Sequence, residues 1–176
     1  KINELNLVRC PFIEDGFFLG IATSKRVNEI VEKVLGDYYI LHLQNGIINK
    51  PKLEHHQSSW HRDLPYQNFE ISSPLALSAL FCIDEFSEKT GGTLVLPFSH
   101  RLEQVPSNSF INTNAIHITA PAGSVVVFDS MLLHKAGYNS SENIRRGINN
   151  MYVKPILKQQ VNIPKALNGK YADDAY

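Results

Sequence analysis

Cysteine is scarce in this chain: 176 residues contain only Cys10 and Cys82. Two are too few for the disulfide framework of a small secreted scaffold, so a reducing, cytoplasmic setting is expected. Neither sign of charge dominates. Seventeen basic residues face 17 acidic ones, and no run of Lys or Arg breaks the balance. This removes the electrostatic basis for nucleic-acid binding or attachment to an anionic membrane surface. No apolar stretch reaches the length of a membrane span, and no signal-peptide pattern opens the chain. Internal repeats and low-complexity tracts are missing as well. The first residue is Lys1 rather than Met, which points to a trimmed or incomplete start. With 43% hydrophobic and 19% charged residues, the chain has the composition of a globular protein. Its length suits a single domain over residues 1–176.

Helical signals are few. Val27, Ile30, Val31, Val34 and Leu35 recur at helical spacing after Thr23 or Ser24, and Gly36 is a natural stop. The first 20 residues read as loop plus a short strand. Strand signals dominate from Asp37 onward: Tyr38 to Leu43, Leu75 to Ile83, Gly91 to Pro97, Ala115 to Thr119, Ser124 to Asp129 and Arg146 to Val153. Asn45-Gly46 and Pro121-Ala122-Gly123 read as turns. A long loop is expected before Ser72-Ser73-Pro74. Polar loops are expected after Arg101 and around Asn139-Ser140-Ser141, and a polar tail follows Val153. Many short strands without βαβ alternation indicate an all-β sandwich or barrel with helical decoration.

The chemistry concentrates in Gln57-Ser58-Ser59-Trp60-His61-Arg62-Asp63. On a strand, His61 and Asp63 would point to the same face and reach one point together. Two such side chains do not hold a redox metal alone, and His134 is the best third ligand. Two histidines and a carboxylate with open positions form the facial triad of non-haem Fe(II) oxygenases. H-x-D by itself is a weak signal. It gains weight from the strands that follow, from a second histidine near a strand end, and from Arg145-Arg146 beyond it. A guanidinium offers a planar fork that meets a carboxylate bidentately. Adjacent strand residues face opposite ways, so one of this pair should point inward.

Four segments in order carry a resemblance to the phytanoyl-CoA dioxygenase family of Fe(II)/2-oxoglutarate-dependent oxygenases. They are Gln57 to Asp63, Gly91 to His100, Ala120 to Asp129, and His134 to Asn139 with Ser141 and Arg145-Arg146. The resemblance covers about Tyr39 to Val153. It implies a mainly β fold, a double-stranded β-helix (a cupin-like jelly roll) with a few flanking helices and the metal at one open end. It implies that His61, Asp63 and His134 hold Fe(II), and that Arg145 pairs with the distal carboxylate of 2-oxoglutarate, with Arg146 the alternative. Gln57, four before His61, is similar to a polar residue the family directs at the site. The implied reaction consumes O2 and 2-oxoglutarate, releases succinate and CO2, and hydroxylates a small metabolite or natural-product intermediate. No basic cluster marks a site for coenzyme A phosphates. Relatives that halogenate carry a small residue in place of this carboxylate, so Asp63 favours oxygenation. Desaturation, epimerisation or ring formation would use the same ligands. Two other readings suit the same fold: a metal-dependent isomerase or hydrolase, and a jelly roll that binds a ligand without redox chemistry.

Departures from the family's pattern are local. Phe98 stands where the family's Pro-Gly-Ser-His turn has glycine, and the stretch before the first strand is short for the family. Among the other histidines, His55 and His56 are expected to be solvated loop residues, with a substrate role the lesser alternative. His100 is expected to be a structural hydrogen-bonder, and His42 and His117 to be strand residues without a catalytic part. Trp60 should face away from the metal and pack in the core. Asn139-Ser140-Ser141 reads as turn chemistry, or as a loop at the mouth of the site.

Overall fold

The computed structural model describes residues 6–64, 67 and 72–171. Two antiparallel sheets dominate it. The larger contains β1 (Leu7–Arg9), β2 (Ile40–Asn49), β3 (Ala76–Cys82), β6 (Val125–Asp129) and β8 (Arg145–Val153), in the order β1-β2-β8-β3-β6. The smaller runs β5-β4-β7, from β4 (Leu94–Val95), β5 (Ile116–His117) and β7 (His134–Lys135). This is the double-stranded β-helix expected for the chain.

β8 is the centre of the large sheet, paired on one side with β2 and on the other with β3. Its residues are buried on both faces, apart from Arg146, because helices cover the outer face and the small sheet and its loops cover the inner one. The outer cover includes α1 (Phe17–Ala22) and α2 (Lys25–Leu35). Ser24 occupies the N-cap of α2, and Gly36, with φ of 92°, ends it as anticipated. Its buried face is narrower than its apolar stripe. Val27, Val31 and Leu35 pack on Leu77, Ala79 and Tyr152, whereas Ile30 and Val34 stay largely exposed. Each buried side chain contributes about 2 kcal/mol of transfer free energy. The opposite face of the same strands carries Ala76, Met151 and Val153 in one cluster and Leu80 and Cys82 in another.

Four expectations fail for physical reasons. Asn45-Gly46 is no turn. β2 runs straight through it, with Gly46 paired to Val8 on one side and Ile148 on the other, and the two ladders override the local preference of the dipeptide. The first 20 residues, read as loop plus a short strand, also hold the start of α1, whose end is tied to the sheet. Tyr152 Oη donates to the Ala22 carbonyl at 2.7 Å, and Gln44 Nε2 donates to the Phe18 carbonyl at 2.8 Å. The polar loop after Arg101 contains α3 (Asn108–Asn114), capped by Ser107, whose hydroxyl accepts the Phe110 N–H. The tail similarly folds a short α4 (Ile163–Leu167) capped by Asn162. Most of the long loop expected before Ser72 lies outside the described residues.

His55 is also unlike its expectation, being only 4% exposed. Its Nδ1 accepts the Gln57 N–H at 3.1 Å, which leaves the ring proton on Nε2. Burial, reinforced by the charges of His56 and Arg145, pushes its pKa down to about 4. His42 lies buried in the core, as one of its two readings required.

Two predictions follow from these local features. Phe98 sits at φ 63° with its ring 76% exposed, so it bears a left-handed backbone penalty that its packing does not offset. Phe98→Gly is expected to raise stability by about 1 kcal/mol, read as a higher thermal midpoint; an unchanged or lower midpoint would contradict the assigned backbone. For His55, the unfolded chain binds a proton that the folded chain refuses between pH 6.5 and about 4. Stability therefore falls as pH drops through that window. In His55→Gln the loss across the window should shrink by about 3 kcal/mol, measured as a shallower dependence of the denaturant midpoint on pH. A slope equal to that of the parent would show that His55 is accessible to protons in the folded state.

Candidate metal centre

Residues 57–63 are not the regular strand that the alternation argument assumed. They run from a turn at Gln57 through bends at Ser59 and Asp63, antiparallel to residues 130–136 and held to them by separate backbone bonds. His61 and His134 exchange both N–H···O bonds at 3.0 Å, Asp63 N donates to the Ser130 carbonyl at 2.9 Å, and Ala136 N donates to the Gln57 carbonyl at 2.9 Å. Direct pairing of His61 with His134 brings the two rings to 4.4 Å between centroids. Asp63, two residues on, reaches the same point. One ligand atom from each of His61, Asp63 and His134 lies within 4.8 Å of the others.

Both imidazoles are oriented alike. His61 Nδ1 lies 2.8 Å from the Ser59 carbonyl and His134 Nδ1 lies 2.8 Å from the Leu132 carbonyl. A carbonyl only accepts, so each Nδ1 carries a proton and Nε2 is the nitrogen left for a metal. Without one, burial would lower the pKa of His134, but the neighbouring Asp63 carboxylate outweighs it and raises it, so its Nε2 shares a proton with Asp63. Nε2 of His61 is buried without a hydrogen-bond partner, while Nε2 of His134 is 3.6 Å from Asp63 Oδ1. Burial alone would raise the Asp63 carboxyl, but His134, the Ser78 hydroxyl and His61 outweigh it and hold the pKa near 2. Two imidazole nitrogens and an ionised carboxylate oxygen, with an orphaned nitrogen among them, suit a first-row divalent ion such as Fe(II).

The two arginines separate as neighbouring strand residues must. Arg146 points outward and forms a fork with Asp84, Nε to Oδ2 and Nη2 to Oδ1, both at 2.9 Å. Arg145 points inward and is 2% exposed. It donates Nη2 to the Gly91 carbonyl at 2.7 Å and stacks its guanidinium 4.3 Å from the Phe86 ring centroid. Its Nε has no partner, and no carboxylate among the described residues forms an ion pair with it. Burial lowers its pKa to about 10, so it remains a cation at neutral pH. A buried, unpaired cation is costly unless an anion joins it.

Arg145, Gln57 and Asn149 line one narrow cavity with the three candidate ligands, about 50 Å³ in volume. That is small for a five-carbon dicarboxylate, so seating one requires flanking side chains to move. A wider cleft of about 610 Å³ shares Lys135 and Ala136 with it. Trp60 turns away, as expected, to pack on Leu96, Ile111 and Leu133, with Lys135 Nζ 5.4 Å above its ring.

Several supporting residues escaped the sequence reading. Ser78 and Asn149 reach Asp63 Oδ2 at 2.6 Å and 3.4 Å. Asn49 Nδ2 bonds the Gly91 and Gly137 carbonyls, and Asn139 Nδ2 returns to the Asn49 carbonyl at 3.0 Å. This lock fixes the carbonyl that Arg145 grips. It needs glycine at 91, where φ is +72° and a Cβ would stand 2.6 Å from the Gly137 oxygen. Asn139 and Ser141 are buried, and the Ser141 N–H and hydroxyl both donate to Asn139 Oδ1, the turn chemistry expected of this stretch. The available signal was polar amides in strands, where they are depleted.

Residues 6–147 match the family described as Phytanoyl-CoA dioxygenase (PhyH). An uncharacterized protein of Mycobacterium tuberculosis is 35% identical over 175 residues, 95% of this chain and 62% of its own length. The chain therefore spans about three-fifths of that relative. Dioxygenase cdmD of Talaromyces verruculosus is 28% identical over 126 residues, covering 68% of this chain and 40% of its own. Among solved structures, EctD from S. alaskensis with 2-oxoglutarate and 5-hydroxyectoine superposes with a TM-score of 0.74 at 21% identity, over 90% of this chain and 59% of that one. The epimerase SnoN in complex with Fe3+, alpha ketoglutarate and nogalamycin RO gives 0.71 at 18%, over 97% and 72%; both show the shared fold. The cofactors of the family are Fe(II), 2-oxoglutarate and O2, and the donor set of His61, Asp63 and His134 fits the first of them. Matching over most of its length, the chain belongs to the phytanoyl-CoA dioxygenase family.

Proposed function

We propose that this chain is a non-haem Fe(II)- and 2-oxoglutarate-dependent dioxygenase domain that hydroxylates a small metabolite or natural-product intermediate, with release of succinate and CO2. The observation that carries this reading is the cavity where three metal-ligating atoms meet a buried guanidinium lacking an anion. A simple metal-dependent hydrolase or isomerase has no need of that unpaired cation.

In this reading His61 Nε2, Asp63 Oδ1 and His134 Nε2 would hold the iron, a donor set of the kind that leaves room for the co-substrate and O2. Bound iron supplies the O2 activation that the protein's own groups do not. Arg145 takes the distal carboxylate of 2-oxoglutarate, its cost of burial offset by the new ion pair. The carbonyl lock of Gly91, Gly137 and Asn49 keeps the guanidinium from turning away. Gln57, on the cavity wall, adds a polar contact to the co-substrate or the reacting centre. The wider cleft, with Glu54, Glu88, Lys135 and Tyr138 on its walls, suits a small polar substrate. Cys10 and Cys82 are buried free thiols, which fits a reducing cytoplasm. No helix among the described residues is long and apolar enough to cross a membrane.

The test is an anaerobic titration of metal-free protein with Fe(II) and 2-oxoglutarate, watching for the visible charge-transfer band of the chelate. The band is expected in the parent protein and absent in His134→Ala and His61→Ala. Arg145→Ala should raise the 2-oxoglutarate needed for half-saturation by at least about tenfold, the worth of a charge-assisted hydrogen bond, whereas Arg146→Ala should leave it unchanged. A reversal between the two arginines would exchange their roles. Iron binding without the band would favour the isomerase or hydrolase reading, and no iron binding would leave only the ligand-binding jelly roll.

A further inference from the structure

Asp63 is held from two directions by residues that contribute no metal ligand. Its Oδ2 accepts from Ser78 Oγ at 2.6 Å, and Ser78 Oγ lies 2.9 Å from Ser130 Oγ. A hydroxyl has one proton. Ser78 gives its proton to the carboxylate, so the bond between the serines runs from Ser130 to Ser78. Ser130 also accepts the Asp63 N–H through its carbonyl at 2.9 Å. Both serines are fully buried. Ser78 is on the inner face of β3 and Ser130 directly follows β6, its partner strand, so the arrangement is anchored in the large sheet.

We propose that Ser78, backed by Ser130, is a positioning residue that occupies Asp63 Oδ2 and leaves Oδ1 alone to face the metal. Oδ1 is the oxygen turned toward His134 Nε2, at 3.6 Å. A carboxylate restrained in this way binds through one atom. Freed of its partner it can rotate and bind through both, taking a coordination position that an open site requires. Asn149 Nδ2, at 3.4 Å from Oδ2, reinforces the same choice from β8. The inference rests on Asp63 being a metal ligand, as in the reading above.

The experiment is a titration of metal-free protein with Co(II), without 2-oxoglutarate, on the parent, Ser78→Ala, Ser130→Ala and the double variant. It is followed by calorimetry and by the visible Co(II) spectrum. Ser78→Ala is expected to weaken Co(II) binding about 10- to 100-fold, the usual effect of removing a group that orients a ligand, and to change the spectrum as the coordination number rises. Ser130→Ala should weaken binding a few-fold, and it should add nothing in the Ser78→Ala background, because it acts through Ser78. Parent-like affinity and spectrum in Ser78→Ala would overturn the proposal while leaving the metal site intact. Additive losses with an unchanged spectrum would also overturn it, as separate packing defects. A parent protein that binds no Co(II) would remove the metal site itself. If Ser78→Ala does not fold, Ser130→Ala decides: weakened binding at an unchanged thermal midpoint supports the relay, and parent-like binding refutes it.

Discussion

The paired backbone bonds between His61 and His134 are the constraint on which the rest of the site depends. Neither residue lies in a long strand. Their mutual pairing puts two imidazoles side by side, and the Asp63 N–H to Ser130 bond then sets the carboxylate beside them. Ring orientation comes from backbone as well, through the Ser59 and Leu132 carbonyls that take the Nδ1 protons. Main-chain geometry thus specifies where the three candidate ligands are and which ring atoms they present. That is a rigid way to build a site, because backbone positions are shared with the surrounding sheet.

A second constraint is electrostatic. The site gathers a carboxylate, two imidazoles and a guanidinium in a region with little solvent. Asp63 is stabilised as an anion by the histidines and by Ser78, so its charge is partly answered within the protein. Arg145 is not answered in that way; the ring of Phe86 and one carbonyl are its compensation. The exposed neighbour, Arg146, has a complete fork with Asp84. The contrast between two consecutive arginines separates a surface ion pair from a buried cation that no carboxylate among the described residues answers.

Much of the fold was legible because it depends on local pattern. The helix over Lys25–Leu35, its glycine stop and the strands at β3, β6 and β8 follow from apolar spacing. Elements governed by distant partners were not legible. β2 passes through Asn45-Gly46 because strands flank it on both sides, and α1 forms where Gln44 and Tyr152 bind its carbonyls. The site divides similarly. His61, Asp63 and His134 stand out by residue type, order and resemblance, whereas Ser78, Ser130 and Asn49 are common polar residues that no short motif marks.

The sequence by itself determined the class of fold, the side chains available for metal binding, and the fact that one of two adjacent arginines must face inward. Strand alternation is a local rule and carries that far. Alternation could not say which arginine it is. The resemblance named Arg145, and the tertiary structure shows Arg145 inward and Arg146 outward, because the choice depends on the register of β8 between β2 and β3. It also decided that His55 is buried and neutral and that Ser78 meets Asp63. Burial and hydrogen-bond partnership between residues far apart in the chain are properties of packing, and packing is specified by the whole set of contacts at once.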